Sequence, residues 1–254
     1  MSTMPRRRLS GMPDTVVETP FLLEGLDTAS TVLTAQAIGL FDGPVGTGKT
    51  TTAEWVASQQ QAPTINLTMP PRPAKLTALR KIVRALSGDD FDASGDALED
   101  AAIDLLKDWN GLLIVDEVQT IGGQGIRELR YIHDVTRESF GLLLVGNGVE
   151  AAIRTQPALD DRVLVRARFQ RLTGEDLIAV LHDLDPRLKR TAAGILARID
   201  QRHCRGRLRD WSQILLLLDT DYPDSTRIDG ALADELLLRV DRRTIVDGTD
   251  EDAA

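Results

Sequence analysis

The chain has 254 residues, 42% of them apolar but only 4% aromatic, with a single cysteine, Cys204. That length allows one large domain or one domain with a small appendage; the lone cysteine excludes a disulfide framework within the chain and fits a reducing cytoplasm, and no apolar run is long enough to span a membrane. With 30 basic and 39 acidic residues the net charge is −9, so a general coat of positive charge is excluded and any contact with a polyanion has to be local.

Residues 1–16 mix Pro, Ser and Gly with Arg6-Arg7-Arg8 and read as a disordered basic tail, either solvated or touching nucleic acid. No apolar signal-peptide core follows it. A helix then ends near Gln36, and residues 37–41 are apolar enough for a buried strand.

Next comes Gly43-Pro44-Val45-Gly46-Thr47-Gly48-Lys49-Thr50, two glycines four residues apart followed by Lys and Thr. Residues 51–57, beginning with Thr51, suit a helix. Strand, glycine-rich loop and helix in that order make a phosphate-binding loop. The glycines let backbone N–H groups curl around phosphates, and the helix start adds partial positive charge. Lys49 is expected to reach the β- and γ-phosphates, and the Thr50 hydroxyl to ligate Mg²⁺. A glycine-rich turn that happens to precede a lysine is the plainer alternative.

Residues 63–69 alternate apolar and polar and read as a second strand, stopped by Pro70-Pro71-Arg72-Pro73. Leu76, Leu79, Ile82, Val83 and Leu86 recur at helical spacing. Between Trp55 and Gly88 there is no acidic residue, yet Arg72, Lys75, Arg80, Lys81 and Arg84 all fall there. In so acidic a chain this window is a candidate positive patch.

After a loop over 89–96 a helix is expected over 98–109. Residues 111–115 are a short continuous apolar run ending in Asp116-Glu117, the pattern of a central parallel strand buried on both faces. Ligands of such sheets sit at the carboxyl ends of strands. Asp116 there can hold Mg²⁺ through its water shell, and Glu117 can act as general base on the attacking water; an acidic pair capping the next helix is the alternative. Gly122-Gly123-Gln124-Gly125 reads as a flexible loop before a helix over 126–139. Residues 141–147 read as another buried strand, whose terminal Asn147 either orients the attacking water or contacts the γ-phosphate, or simply turns the chain. A fifth strand is expected over 163–169. Thr173-Gly174-Glu175-Asp176 has capping-box spacing, and helices are expected over 173–184, 187–203, 207–219 and 229–240. The domains follow: a basic tail to 16, an α/β domain over 17–172, an all-helical domain over 173–242 and an acidic tail over 243–254. Cys204 reads as structural or surface rather than reactive.

This combination resembles the AAA+ ATPases over about residues 20–220. The loop at 43–50 corresponds to Walker A, Leu112 to Glu117 to Walker B, and Asn147 to sensor 1. Arg209, with Arg207 as the alternative, stands where a sensor-2 helix begins. The resemblance implies an α/β P-loop fold of three layers around a parallel sheet, followed by a helical lid. It also implies ATP and Mg²⁺ as ligands, and a site between subunits completed by an arginine from the neighbour. Arg162 occupies the usual place and Arg166 is the runner-up; Arg162 could instead simply pair with Asp160 or Asp161.

Val115 to Gln119, Glu128 to Asp134 and Leu143 to Asn147 are similar to the transposition-regulator branch, the group of phage Mu transposition protein B and TnsC. That likeness implies a homo-oligomeric ring or filament on duplex DNA, recruitment of a transposase and target choice. The Mu protein carries an N-terminal helix-turn-helix domain for which this chain has no room, which leaves the ATPase core as the expected DNA surface. Arg72, Lys75 and Thr77 follow the second strand, where related ATPases line a pore, and Arg127 and Arg130 follow the Walker B strand. Both sets are expected to contact phosphates; a solvated basic face is the alternative. Few aromatics accompany them, which favours a duplex over single strands. A helicase loader and a DNA-independent nucleotide switch are the competing readings.

Overall fold

The computed structural model describes residues 17–89 and 93–247. They divide into two compact units, Pro20–Gln170 and a helical unit that runs from Arg171 and includes Thr19. The expected basic tail, and the acidic tail beyond Asp247, lie outside the described residues.

The first unit is built on five parallel strands, β1 (Ile38–Asp42), β2 (Thr64–Thr68), β3 (Leu112–Asp116), β4 (Gly141–Gly146) and β5 (Val163–Arg168), in the order β2-β3-β4-β1-β5. β3 and β4 are buried at every position, as an apolar run covered on both faces must be. Because side chains alternate along a strand, each run feeds two cores. Leu113, Val115, Leu142 and Leu144 pack with helices α3 (Thr77–Ser87), α4 (Gly95–Leu106) and α5 (Gly122–Val135). Leu112, Ile114, Leu143 and Val145 pack with α1 (Pro20–Ala35) and α2 (Lys49–Gln59) on the other face. Three layers result. Each fully buried Leu or Ile adds about 1.5–3 kcal/mol.

Register brings the strand ends together. Asp42 pairs with Gly146 and Thr68 with Asp116. The loop after β1 therefore opens beside the ends of β3 and β4, where ligands of open parallel sheets bind.

Local chemistry sets the helix ends. α3 buries Ala78, Leu79, Ile82 and Val83, and stops at Gly88, which is left-handed (φ 83°) and donates its N–H to Arg84 O. The Ser94 hydroxyl accepts from Ala97 N–H at the start of α4. Several boundaries depart from expectation, α4 spanning Gly95–Leu106 rather than 98–109. Gly122–Gly125 form the first turn of α5 rather than a loop. Gly125 packs so near Ile121 that a Cβ would meet its side chain at 2.8 Å, so this glycine serves close packing. α5 ends at Val135 because Arg137 and Glu138 turn left-handed, with φ of 59° and 56°. Two short helices not foreseen in the sequence, α6 (Val149–Arg154) and α7 (Pro157–Asp160), connect β4 to β5.

Two buried polar groups tie the layers. His133 Nε2 lies 3.1 Å from Gln36 O and 3.0 Å from Phe140 O, and burial pushes its pKa down. Glu150 is 8% exposed and receives Arg168 at 2.8 and 2.7 Å, with Arg154 at 2.8 Å and Arg166 at 3.9 Å. The Arg168 hydrogen bonds lead in holding its carboxyl at about 2 rather than 4.5. A depressed folded value means this stabilisation is complete above the unfolded value and is lost as pH falls toward the folded one. Glu150→Gln is expected to melt lower than wild type near neutrality and to lose less melting temperature between about pH 5 and about pH 3. Calorimetry across that range checks it; parallel curves would remove Glu150 from the acid response.

The second unit holds α8 (Gly174–Leu184), α9 (Pro186–Lys189), α10 (Ala193–Ile199), α11 (Leu208–Asp221) and α12 (Gly230–Asp247). Its core includes Leu181, Leu188, Leu196, Trp211, Leu215 and Leu236. The single helix expected over 187–203 is instead α9, α10 and a π-helical turn, Asp200–Cys204. Thr191 breaks it: its hydroxyl donates to Arg187 O and accepts from Ile228 N–H. The Asp200 carboxylate then reverses the chain by accepting from Gly206 N–H (2.8 Å) and Trp211 Nε1–H (3.1 Å). Thr173 precedes α8 but makes no side-chain cap. α12 runs to Asp247, beyond the expected end. Cys204 is free and fully buried, and burial pushes its thiol well up, which makes it structural. No helix among the described residues is long and apolar enough to cross a membrane.

Candidate active site

The loop from Gly43 to Thr50 leaves β1 with backbone only glycine tolerates. At Gly43 (φ 155°) a Cβ would stand 2.1 Å from Phe169 O. Gly46 and Gly48 are left-handed, at φ 84° and 98°, and nothing lies within 4 Å of where a Gly48 Cβ would be. Pro44 and Val45 are exposed on the outside of the loop. Thr47 is buried and its hydroxyl donates to Pro44 O at 2.9 Å. α2 starts at Lys49, so its first N–H groups, with those of Thr50 and Thr51, face the loop. Lys49 is 8% exposed and its ammonium donates to Gly43 O (2.6 Å) and Pro44 O (2.8 Å). Open space, oriented N–H groups and a buried cation make an anion cradle.

Two distant stretches meet beside it. Asp116, the last residue of β3, is 2% exposed. Its carboxylate accepts from Glu117 N–H at 2.7 Å and from the Thr50 hydroxyl. Burial pushes its pKa up, against the pull of Thr50, the Glu117 N–H and Lys49. A divalent cation would favour the charged form again, and a hydroxyl with a carboxylate is a hard-oxygen donor set suited to Mg²⁺. Among the described residues no three His, Cys, Asp or Glu side chains group into a metal cluster. A magnesium ion held here would thus complete its shell with water and phosphate oxygens, its usual habit.

Glu117 is half-buried and left-handed (φ 55°), which turns its side chain out of the strand direction. Its Oε2 accepts from Gln119 Nε2. Asn147 is exposed just past β4, and its N–H donates to Gln119 Oε1 at 3.2 Å. Asp42 Oδ1 accepts from Val149 N–H at 2.8 Å, fixing the turn that carries Asn147 to the root of the loop. Lys49, Thr50, Asp116, Glu117 and Asn147 therefore converge. Gln119 belongs with them; in the sequence it stands only as the end of the Val115–Gln119 run, with no role assigned.

The arginines separate. Arg162 is half-exposed and pairs with Asp134 of α5 (3.5 Å) and with Glu138 in the turn that follows it (3.2 Å), not with Asp160 or Asp161. Arg166 is more buried and is held by Asp160 at 2.6 Å. Arg72 and Lys75 are exposed in the loop before α3, and Thr77 opens that helix. Lys75, with Thr120, Gln124 and Glu128, lines a pocket of 90 Å³. Arg127 and Arg130 reach elsewhere, to Gln156 Oε1 (3.0 Å) and Ala158 O (3.1 Å), and Arg130 also pairs with Asp134. In the helical unit Arg209 is exposed in the first turn of α11, whereas Arg207 is bound to Asp210.

Residues 33–154 match the family model described as an AAA domain. No curated protein matches the chain. Among solved structures, the Aeropyrum pernix ORC1 protein in complex with DNA is 16% identical, with a TM-score of 0.63 over 87% of this chain and 65% of that one. Domain III of the Thermotoga maritima replication initiation protein DnaA is 16% identical, TM-score 0.56, over 88% and 94%. The Thermotoga maritima RuvB Holliday junction branch migration motor is 16% identical, TM-score 0.55, over 87% and 69%. The chain spans about two thirds of the Aeropyrum ORC1 and ORC2 structures. These likenesses establish the fold, a P-loop AAA+ sheet with flanking helices and a helical second unit, as expected from the sequence.

Proposed function

We propose that this chain is a Mg²⁺-dependent ATPase that binds duplex DNA and assembles with copies of itself on it, within the transposition-regulator branch. The convergence of Thr50, Asp116 and Glu117 beside the Lys49 cradle carries the reading. Loop N–H groups and Lys49 bind the triphosphate. Thr50 and Asp116 hold Mg²⁺, which supplies charge neutralisation on the phosphate oxygens. Glu117 takes the proton from the water that attacks the γ-phosphorus; the bond to the β-γ bridging oxygen breaks, leaving ADP and phosphate. Asn147 orients that water. Arg162 of a neighbouring copy stabilises phosphate charge, its exposure favouring it over the more deeply held Arg166. Arg209 serves as the lid's phosphate contact, since Arg207 is already held by Asp210.

Duplex binding rests on the exposed Arg72 and Lys75 with Thr77, in a stretch free of acidic residues. Arg127 and Arg130 form a second set; their bonds to the stretch after α6 make them secondary. Matching a structure solved with DNA, a branch migration motor and a replication initiator supports a DNA-directed role. The transposase partner rests on the likeness of Val115 to Gln119, Glu128 to Asp134 and Leu143 to Asn147.

Replacing Arg72 and Lys75 together with Ala is expected to weaken ATP-dependent duplex binding. It should flatten the slope of log affinity against log salt by roughly 2, since each lost phosphate contact removes about 0.9. Fluorescence anisotropy across a salt series reads both. An unchanged slope would move the DNA surface off this loop.

A further inference from the structure

After β3 the chain turns through Val118–Ile121, a 3-10 turn closed by Thr120, whose N–H and hydroxyl both donate to Glu117 O. That turn brings the Gln119 side chain back across the ends of β3 and β4. Its Nε2 donates to Glu117 Oε2 and its Oε1 accepts from Asn147 N–H. Only one orientation of the amide satisfies both, since a carboxylate only accepts and a backbone N–H only donates. The place exists because residue 146 is glycine: a Cβ there would lie 2.1 Å from Gln119 Oε1.

We propose that Gln119 is a positioning residue for hydrolysis, acting through Glu117 and resting on the ATPase reading above. Glu117 sits on left-handed backbone just beyond the end of β3. The Gln119 amide constrains its carboxylate, orienting one oxygen and leaving the other for the water proton. Through Oε1 the same amide ties Glu117 to the end of β4, so that base and Asn147 keep a fixed spacing. A side chain with neither donor nor acceptor leaves Glu117 free to rotate and lowers the fraction of time it faces the water.

The test uses the full chain, with ATP and Mg²⁺ as probes and Lys49→Ala as control. Gln119→Leu is expected to lower kcat by about ten- to hundredfold, the worth of one hydrogen bond to a charged group. The KM for ATP and the melting temperature should stay as in wild type. Gln119→Glu keeps an acceptor for Asn147 N–H but sets a second carboxylate against Glu117, and should fall at least as far. This variant decides the matter if Gln119→Leu folds poorly. In single-turnover assays, Gln119→Leu combined with Glu117→Gln should be no slower than Glu117→Gln alone. Wild-type kcat in both Gln119 variants, or a double variant slower by the product of the two single effects, would overturn the inference and leave the ATPase reading standing. Absence of Lys49-dependent turnover in the wild type would overturn both.

Discussion

Lys49→Ala is expected to weaken ATP binding by about a hundredfold or more, the scale set by removing a preorganised donor to phosphate. ATP-dependent duplex binding should vanish with it. Lys49 is the cation at the centre of the cradle and is almost fully buried, so phosphate meets its charge at low local dielectric. Arg cannot replace it: a planar fork does not fit where a compact ammonium lies against the Gly43 and Pro44 carbonyls. Titration with a fluorescent ATP analogue, followed by anisotropy on labelled duplex, reads both effects. Duplex affinity that stays ATP-dependent in Lys49→Ala would break the proposed coupling.

Glu117→Gln should separate binding from hydrolysis. The change keeps size and leaves an oxygen to accept from Gln119 Nε2, so the local structure survives. What disappears is the proton acceptor, and kcat is expected to fall by about 10²- to 10⁴-fold, the range for a general base. ATP affinity should be unchanged, and the assembled DNA-bound state should persist where wild type dissolves. Steady-state turnover beside equilibrium binding makes the comparison. Wild-type turnover in this variant would remove Glu117 from the base role.

Much of this was legible in the sequence because the signals were local. Strand, glycine loop and helix are contiguous at 38–59, and an apolar run ending in two carboxylates can be little else than a central strand with a site at its tip. The parallel three-layer sheet follows from such runs. What stayed hidden depended on contacts between distant residues. Gly122–Gly125 looked like a loop because glycine disfavours helix, yet the stretch opens α5, with Gly125 packed close against Ile121. The helix over 187–203 read as continuous because apolar spacing does not register a Thr191 that bonds across to Ile228. At the site, the role of Gln119 was invisible for the same reason: it arises only when the ends of β3 and β4 lie side by side. Arg162 was placed by order along the chain, but its partners Asp134 and Glu138 come from α5 and the turn after it, more than twenty residues away.

Nucleotide in the Lys49 cradle is expected to drive assembly on duplex DNA. Electron microscopy of the wild-type protein with duplex and a slowly hydrolysed ATP analogue, beside Lys49→Ala, tests it most directly. Regular assemblies tracking the duplex are expected for wild type, with none for the variant. Single particles that ignore DNA in both samples would contradict the account.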